Sequence, residues 1–333
     1  MVWFQFLACL AAVGIAGSYL SRYGDVIAEK TGLGRTWVGL VLMATVTSLP
    51  ELVTGISAAT VAAVPDIAIG DVLGSCVFNL GILVVVDFLH REVPLYTRAS
   101  HGHILSAAFG VVMIAIVGLF LLLARENATP SIGRIGAYTP VIVALYLLAM
   151  RMVYAYERRE VAEFVEVAGS RYAGITLSRA LTGYGTAAAV VVASGTWLPF
   201  VGEAIAVSMG WHESFVGTLF VAAATSAPEI AVTVAALRIG ALDMAVANLL
   251  GSNLFDILIV AVDDLFYAGG PILAHVTPVH AFSALTAIIM TGAAIVGFFY
   301  RPSGRVAGTV SWISVFLLAL YAVNAYVLFR YGT

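Results

Sequence analysis

The chain has 333 residues, of which 61% are hydrophobic and only 11% are charged, and its formal net charge is −3 at pH 7. This apolar composition excludes an ordinary soluble domain and indicates an integral membrane protein. The small negative charge offers no basic surface for nucleic acid, so we expect no nucleic-acid partner. Both cysteines, Cys9 and Cys76, lie in apolar runs, which argues against a disulfide framework and against a zinc site.

Ten hydrophobic segments follow one another when ~20 residues are allowed for each membrane span. They run over 2–20, 36–63, 66–90, 101–124, 131–156, 179–201, 214–237, 241–267, 271–300 and 307–330. The first segment lacks the basic start of a signal peptide, so we interpret it as a spanning helix. The second, third, seventh and eighth segments are long for straight spans and contain Gly or Pro. They therefore predict helices that are bent or broken around a cavity.

The basic residues predict the orientation. With the N-terminus outside, thirteen of the sixteen Lys and Arg residues fall on the cytoplasmic side, and only Arg125, Arg134 and Arg330 remain outside. The positive-inside rule therefore predicts a multi-pass protein of the cell membrane with both termini extracellular. The polar stretch 157–178 is the one hydrophilic linker, and its mixed charges indicate a solvated cytoplasmic connector. We accordingly divide the chain into a first membrane repeat (1–156), this linker (157–178) and a second membrane repeat (179–333).

One motif occurs twice in the apolar segments. The stretch from Ala44 to Glu51 reads ATVTSLPE, and the stretch from Ala222 to Glu229 reads AAATSAPE. A carboxylate at the bilayer centre costs roughly 2.5–3.5 kcal/mol even on insertion scales, and such residues mark functional sites by default. Since each glutamate follows Thr-Ser-x-Pro, we interpret the two stretches as halves of one ion site, against the simpler alternative of structural hydrogen bonds between helices.

A second motif follows each copy of the first. The sequence GSCVFN ends at Asn79, and GSNLFD ends at Asp256. The copies lie five spans apart, and an odd number inverts the second copy in the membrane. The sequence therefore predicts an all-α integral membrane protein with ten transmembrane helices in two inverted five-helix repeats. By segment midpoints, Asn79 and Asp256 lie at half depth together with the two glutamates, although polar contacts between helices are an alternative role for them.

The chemistry of these residues is that of a site for hard cations. Carboxylate, amide, hydroxyl and carbonyl oxygens suit sodium and calcium, and no His or Cys pair for zinc or copper lies nearby. Pro50 and Pro228 each remove one intrahelical hydrogen bond, which makes carbonyls of the preceding turn available as ligands. Ser75 and Ser252 lie one helical turn before the amide and the carboxylate of the second motif, on the same face. Back-bonding of these hydroxyls to their own helix is an open alternative.

With these two pairs of motifs the sequence resembles the cation/calcium exchanger superfamily, and within it the prokaryotic sodium/calcium exchangers. The resemblance covers nearly the whole chain and implies four adjacent cation sites at its centre. The ligands that it implies are Ala44, Thr47, Glu51, Ser75, Asn79, Ala222, Thr225, Glu229, Ser252 and Asp256. Two neighbouring residues depart from the family's pattern. Asp71 stands where the second repeat has Asn248, and Cys76 stands where it has Asn253, which puts selectivity or rate in doubt more than activity.

The resemblance implies an antiporter that exchanges calcium for sodium by alternating access, with no enzymatic activity and no cofactor. The retained oxygen ligands and the three central carboxylates favour sodium as the driving ion, because three carboxylates balance the charge of three sodium ions. A proton-coupled or potassium-dependent antiporter of the same superfamily is the alternative, and a cation channel or an intramembrane hydrolase is more remote. Calcium, sodium and the lipid bilayer are the expected partners. We expect one chain to suffice for transport, and the sequence gives no oligomeric state.

Other polar residues receive structural interpretations. Asp66 and Asp243 stand just ahead of two segments and are expected to cap helix starts. His101 and His103 are expected to be loop residues, because no third metal ligand accompanies them. Three further aspartates, Asp87, Asp263 and Asp264, fall toward segment ends and are expected at the membrane interface.

Overall fold

The computed structural model describes residues 2–90, 94–126, 129–164, 172–209 and 222–331. Within these ranges, eight helices are long and apolar enough to cross a membrane. The chain is therefore a multi-pass, helical membrane protein. The expectation of an all-α fold holds apart from one small antiparallel hairpin, in which Ser131–Ile132 pairs with Ile135–Gly136.

The long helical segments are numbered in chain order. They are α1 (Val2–Thr31), α2 (Arg35–Ala62), α3 (Pro65–Leu89), α4 (Gly102–Arg125), α5 (Tyr138–Phe164), α6 (Leu177–Met209), α7 (Ala222–Thr225 and Ala227–Arg238), α8 (Leu242–Phe266), α9 (Val279–Tyr300) and α10 (Trp312–Tyr331). The first segment thus continues beyond its expected end at residue 20, and α5 continues into the expected linker. Residues 165–171 and 210–221 lie outside the described ranges, so the boundaries of the linker stay a prediction.

Both α2 and α7 are interrupted in the middle. In α2 the helix breaks between Ala44–Thr47 and Leu49–Ser57, where Ser48 has φ −91° and ψ 6°. The break in α7 has nearly the same geometry, since Ser226 has φ −82° and ψ 7°. Each break precedes a proline at the second position of the new helix, where its missing N–H costs no hydrogen bond. The prediction of broken helices is borne out in α2 and α7, whereas α3 and α8 are each one uninterrupted helix.

Helix α8 lies at the centre of the protein and is the most deeply buried of the eight candidate spans. It packs against α2, α3, α4, α5 and α7. Gly251 permits its close approach to α2, because a Cβ atom there would lie 2.3 Å from the carbonyl oxygen of Leu40. On the other side of α2, helices α1 and α6 pack against each other and cover the interrupted segments.

The interfacial depth expected for Asp87, Asp263 and Asp264 stays a prediction, but all three side chains are fully buried within the protein. Two of them accept hydrogen bonds from the loop that folds back over the end of their own helix. Asp87 accepts a hydrogen bond from the Leu95 amide at 3.0 Å, and Asp264 accepts one from the Ile272 amide at 2.7 Å. The returning loops therefore cover these two carboxylates and bury them within the protein.

The expected roles of Asp66, Asp243 and His103 are wrong. Neither aspartate caps its own helix. Instead, Asp66 lies 3.0 Å from Nε2 of His280, and Asp243 lies 3.0 Å from Nε2 of His103. His103 is buried within α4 and is not a loop residue. Each contact joins an aspartate of one half of the chain to a histidine of the other half.

Candidate cation site

The two helix breaks place Glu51 and Glu229 in the first turn of a new helix inside the protein. Backbone N–H groups in a first turn have no intrahelical partner, and the helix dipole stabilises negative charge there. Both side chains are only 1% exposed. The motif therefore does two things locally: Pro starts the helix, and the glutamate that follows it lies where a buried anion is best tolerated.

Hydroxyl groups from two different helices surround the carboxylate of Glu229. Its Oε1 atom accepts hydrogen bonds from the hydroxyl of Ser48 at 3.2 Å and from the hydroxyl of Ser252 at 3.3 Å. The Ser252 hydroxyl also lies 3.3 Å from Oγ1 of Thr47. The second carboxylate oxygen, Oε2, has no hydrogen-bond partner among the described residues. Oxygens of α2, α7 and α8 thus converge on one point.

The carboxylate of Glu51 faces this cluster from the other half of the chain. Both of its oxygens are buried without a hydrogen-bond partner among the described residues. Glu51 lies three residues after Ser48, whose hydroxyl donates to Glu229. An isolated carboxylate is costly to bury, so oxygens arranged in this way are available to a cation.

Asn79 and Asp256 meet at the same depth. The side-chain amide of Asn79 donates to Oδ1 of Asn253 at 3.1 Å and to Oδ2 of Asp256 at 3.5 Å. The oxygens Oδ1 of Asn79 and Oδ1 of Asp256 have no partner within the described part of the chain. Asn253 also donates to the carbonyl of Cys76 at 3.1 Å. Cys76, which departs from the family's pattern, therefore contacts Asn253, the aligned residue of the other repeat, and lies beside the predicted ligands.

The remaining predicted ligands border this cluster. The hydroxyl of Ser75 accepts a hydrogen bond from that of Ser226 in α7 at 3.4 Å, and the hydroxyl of Ser252 donates to Glu229, also in α7. The carbonyl of Ala44 accepts the Thr47 hydroxyl at 3.3 Å and the Ser48 amide at 3.0 Å. Ala222 begins the described part of α7.

Asp71, which departs from the family's pattern, contacts a predicted ligand directly. Its Oδ1 atom accepts a hydrogen bond from Oγ1 of Thr225 at 3.2 Å, while its Oδ2 atom has no partner among the described residues. The aligned Asn248 donates instead to Thr233 of its own half at 3.1 Å. Asp71 therefore places a buried carboxyl group next to the predicted site on one side only.

The chemistry of this arrangement suits a hard cation. The available groups are carboxylate, amide, hydroxyl and carbonyl oxygens, which sodium and calcium prefer. In the described ranges, no three His, Cys, Asp or Glu side chains converge closely enough to hold a metal ion by themselves. An ion bound here would therefore combine carboxylates with the neighbouring neutral oxygens.

Two further residues of the site, Ser48 and Ser226, were not among the predicted ligands. Ser48 donates to Glu229, and Ser226 donates to Ser75. The signal was present in the sequence, because each serine belongs to the repeated Thr-Ser-x-Pro-Glu motif. The backbone break turns their side chains toward the opposite half of the chain, which the motif alone does not indicate.

The fold and the buried oxygen cluster define a class of protein, the membrane exchangers of cations. A family model described as sodium/calcium exchanger protein matches residues 1–155 and 180–330, and the chain therefore belongs to this family. Inner membrane protein YrbG of Escherichia coli K12 is 29% identical over 255 residues, which cover 71% of this chain and 70% of that protein. The sodium/calcium exchanger MaX1 of Methanosarcina acetivorans is 27% identical over 280 residues, which cover 75% and 78%.

Solved structures show the same fold. A structure of the sodium-calcium exchanger NCX_Mj, soaked with sodium and calcium, matches with a TM-score of 0.70 and 21% sequence identity. The match covers 98% of this chain and 97% of that one. The resemblance that the two motifs predicted is thus confirmed at the level of family and fold.

Proposed function

We propose that this protein is a secondary active antiporter that exchanges calcium for sodium across the membrane by alternating access. The observation that carries the proposal is the buried cluster around Glu51, Glu229 and Asp256, in which carboxylate oxygens without a partner among the described residues lie beside hydroxyl and amide oxygens. These oxygens come from both halves of the chain. The names of MaX1 and NCX_Mj, both sodium/calcium exchangers, support the same choice of ions.

The proposed architecture has ten spans in two inverted five-helix repeats, with both termini extracellular. Matched contacts support it. His103 precedes His280 by the same 177 positions that separate Asn79 from Asp256, and Asp66 precedes Asp243 by the same number. Each histidine pairs with the aspartate of the other half. Such reciprocal contacts are expected when two copies of one unit pack about a pseudo-two-fold axis.

The proposed movement is a sliding of α1 and α6 past the helices that carry the site. These two helices pack against each other and against the broken segments. A Cβ atom on Gly195 of α6 would lie 2.8 Å from Cγ of Pro50 and 3.0 Å from Cγ of Pro228. One small residue of the proposed moving pair therefore contacts the prolines of both helix breaks, so its displacement would alter access to both sides of the site.

Reconstitution in liposomes tests the function. An outward-directed sodium gradient at constant pH is expected to drive calcium uptake, with an electrical current if more than two sodium ions exchange for each calcium ion. Uptake driven by a pH gradient without a response to sodium would instead indicate the proton-coupled alternative. A requirement for potassium in addition to sodium would indicate the potassium-dependent one.

Counterflow separates a carrier from a channel or a hydrolase. A carrier exchanges labelled calcium against calcium or sodium on the other side of the membrane, whereas a channel conducts without this exchange. The proposal excludes enzymatic activity because the mirrored motifs provide binding oxygens on both sides of one cavity and no distinct acid, base and nucleophile. Equal calcium flux with and without a counter-ion would contradict the antiport proposal.

A further inference from the structure

Two buried carboxylates next to the central site have no role in the ligand set described above. Asp263 in α8 is fully buried, and neither of its carboxylate oxygens has a hydrogen-bond partner among the described residues. Asp71 in α3 is 7% exposed, and its Oδ2 atom also lacks a partner there. Burying a carboxylate without a partner is unfavourable, so each of these two side chains calls for a bound cation or proton.

The carboxylate of Asp263 faces α2 at Gly55. A Cβ atom on Gly55 would lie 2.4 Å from Oδ2 and 2.7 Å from Oδ1 of Asp263, so a side chain at position 55 would displace these oxygens. Gly55 follows Glu51 by four residues and therefore lies on the same helix face, one turn further along. The three helices that carry Gly55, Asp71 and Asp263, which are α2, α3 and α8, pack against one another.

These residues lie on one side of the central site. Asp71 comes one turn before Ser75 in α3, and Asp263 comes two turns after Asp256 in α8, about 10 Å along the helix axis. The two helices run in opposite directions in the predicted topology, so both steps lead the same way. In the predicted orientation that direction is toward the extracellular side.

The other side of the site lacks this arrangement. The residues that align with Asp71, Gly55 and Asp263 in the other half are Asn248, Thr233 and Val86. The first two of these are neutral and hydrogen-bonded to each other at 3.1 Å. The unpaired carboxylates of Asp71 and Asp263 therefore occur on one side of the site only, although the segments that carry them are repeated.

We propose that Asp71 and Asp263 form an additional site for a divalent cation, through which calcium passes between the extracellular solution and the central site. The carboxylate oxygens bind the ion, and Gly55 leaves the space for them. The inference depends on the proposed function in one respect, which is that calcium reaches this part of the protein. It concerns a site that the central ligand set does not contain.

Equilibrium binding of radioactive calcium to the purified protein in lipid nanodiscs tests the site. In a variant with Glu51→Gln and Glu229→Gln, the central site is disabled, and about one calcium ion per chain is expected to remain bound. Adding Asp263→Asn is expected to weaken this residual binding at least tenfold. Asp71→Asn, which introduces the residue of the second repeat, is a second variant with the same expected effect.

The matched control is Glu126→Gln, which removes an exposed carboxylate at the end of α4 on the same predicted side. It is expected to leave the residual binding unchanged. The additional site would be overturned if no calcium remained bound, or if the residual binding survived both aspartate substitutions. Neither outcome would affect sodium-driven uptake by the unmodified protein. Asp263-dependent binding in a protein that shows no sodium-driven uptake would leave this site standing and reject the exchange function.

Discussion

The side-chain amide of Asn79 lies 3.5 Å from a carboxylate oxygen of Asp256, and these are aligned positions of the two halves of the chain. Among the predicted ligands with functional side chains, this pair is the one in which the two halves differ. The difference gives the centre three carboxylates in place of two or four.

Asp256→Asn is therefore expected to impair exchange without abolishing it. The substitution removes one charge from the site but keeps an oxygen ligand, so calcium affinity falls by an order of magnitude while folding is unaffected. Calcium-dependent uptake rates in liposomes measure the effect. A variant with unchanged calcium affinity would exclude Asp256 from the site.

Glu51→Gln and Glu229→Gln are each expected to abolish exchange. Each glutamate provides the charge on one side of the cluster, and both carboxylates have oxygens without a partner among the described residues. The amide keeps the shape of the side chain, so the protein still inserts and folds, which a thermal melting curve monitors. Calcium flux above a few per cent of that of the unmodified protein in Glu51→Gln would count heavily against the site.

Gly195→Ala is expected to slow exchange several-fold with little change in calcium binding. The added methyl group would meet Cγ of Pro50 at 2.8 Å and Cγ of Pro228 at 3.0 Å, which hinders the proposed sliding of α6 over the helix breaks. The control is Gly185→Ala in the same helix, where a Cβ atom meets nothing within 4 Å. Equal transport rates for the two variants would contradict the role of this contact.

A cross-link between α1 and α7 is expected to block transport. The Ser21 hydroxyl donates to the carbonyl of Val232 at 2.9 Å, and a Cβ atom on Gly17 would lie 3.2 Å from Cγ2 of the same valine. Gly17→Cys combined with Val232→Cys therefore joins the proposed moving helix to a site helix. Calcium binding from one side is expected to persist, and reduction is expected to restore exchange. Undiminished exchange in the oxidised protein would reject α1 as a moving element.

Asp264→Asn is expected to reduce stability and to leave the cation ligands intact. The carboxylate of Asp264 accepts the Gly136 amide at 2.8 Å and the Ile272 amide at 2.7 Å, and the asparagine cannot accept at both oxygens. A buried donor without an acceptor costs about 1–3 kcal/mol, so the melting temperature falls. Calcium affinity measured below that temperature stays the same. The opposite result, normal melting with weaker calcium binding, would assign Asp264 to transport.

Much of this protein was predictable because its strongest signals are local. A proline inside an apolar segment favours a helix break, although α6 continues through Pro199. At the two breaks that do form, the glutamate after the proline lies at the new N-terminus, as Glu51 and Glu229 do. The repetition of both motifs predicted the family and the membrane fold. The orientation of the termini and the ion that drives exchange stay predictions.

The tertiary structure alone decided which buried oxygens have partners. Asp87 and Asp264 lie near segment ends in the sequence, and only the fold shows that loops return over the helix ends, bury them and bind them. Asp263, the neighbour of Asp264 in sequence, is equally buried but faces Gly55 without a hydrogen-bond donor among the described residues. Adjacent residues on a helix point in directions about 100° apart, so their surroundings come from different parts of the chain. The hydropathy of the sequence indicates how deep a side chain lies in the membrane. Its hydrogen-bond partners depend instead on packing between segments that are far apart in sequence.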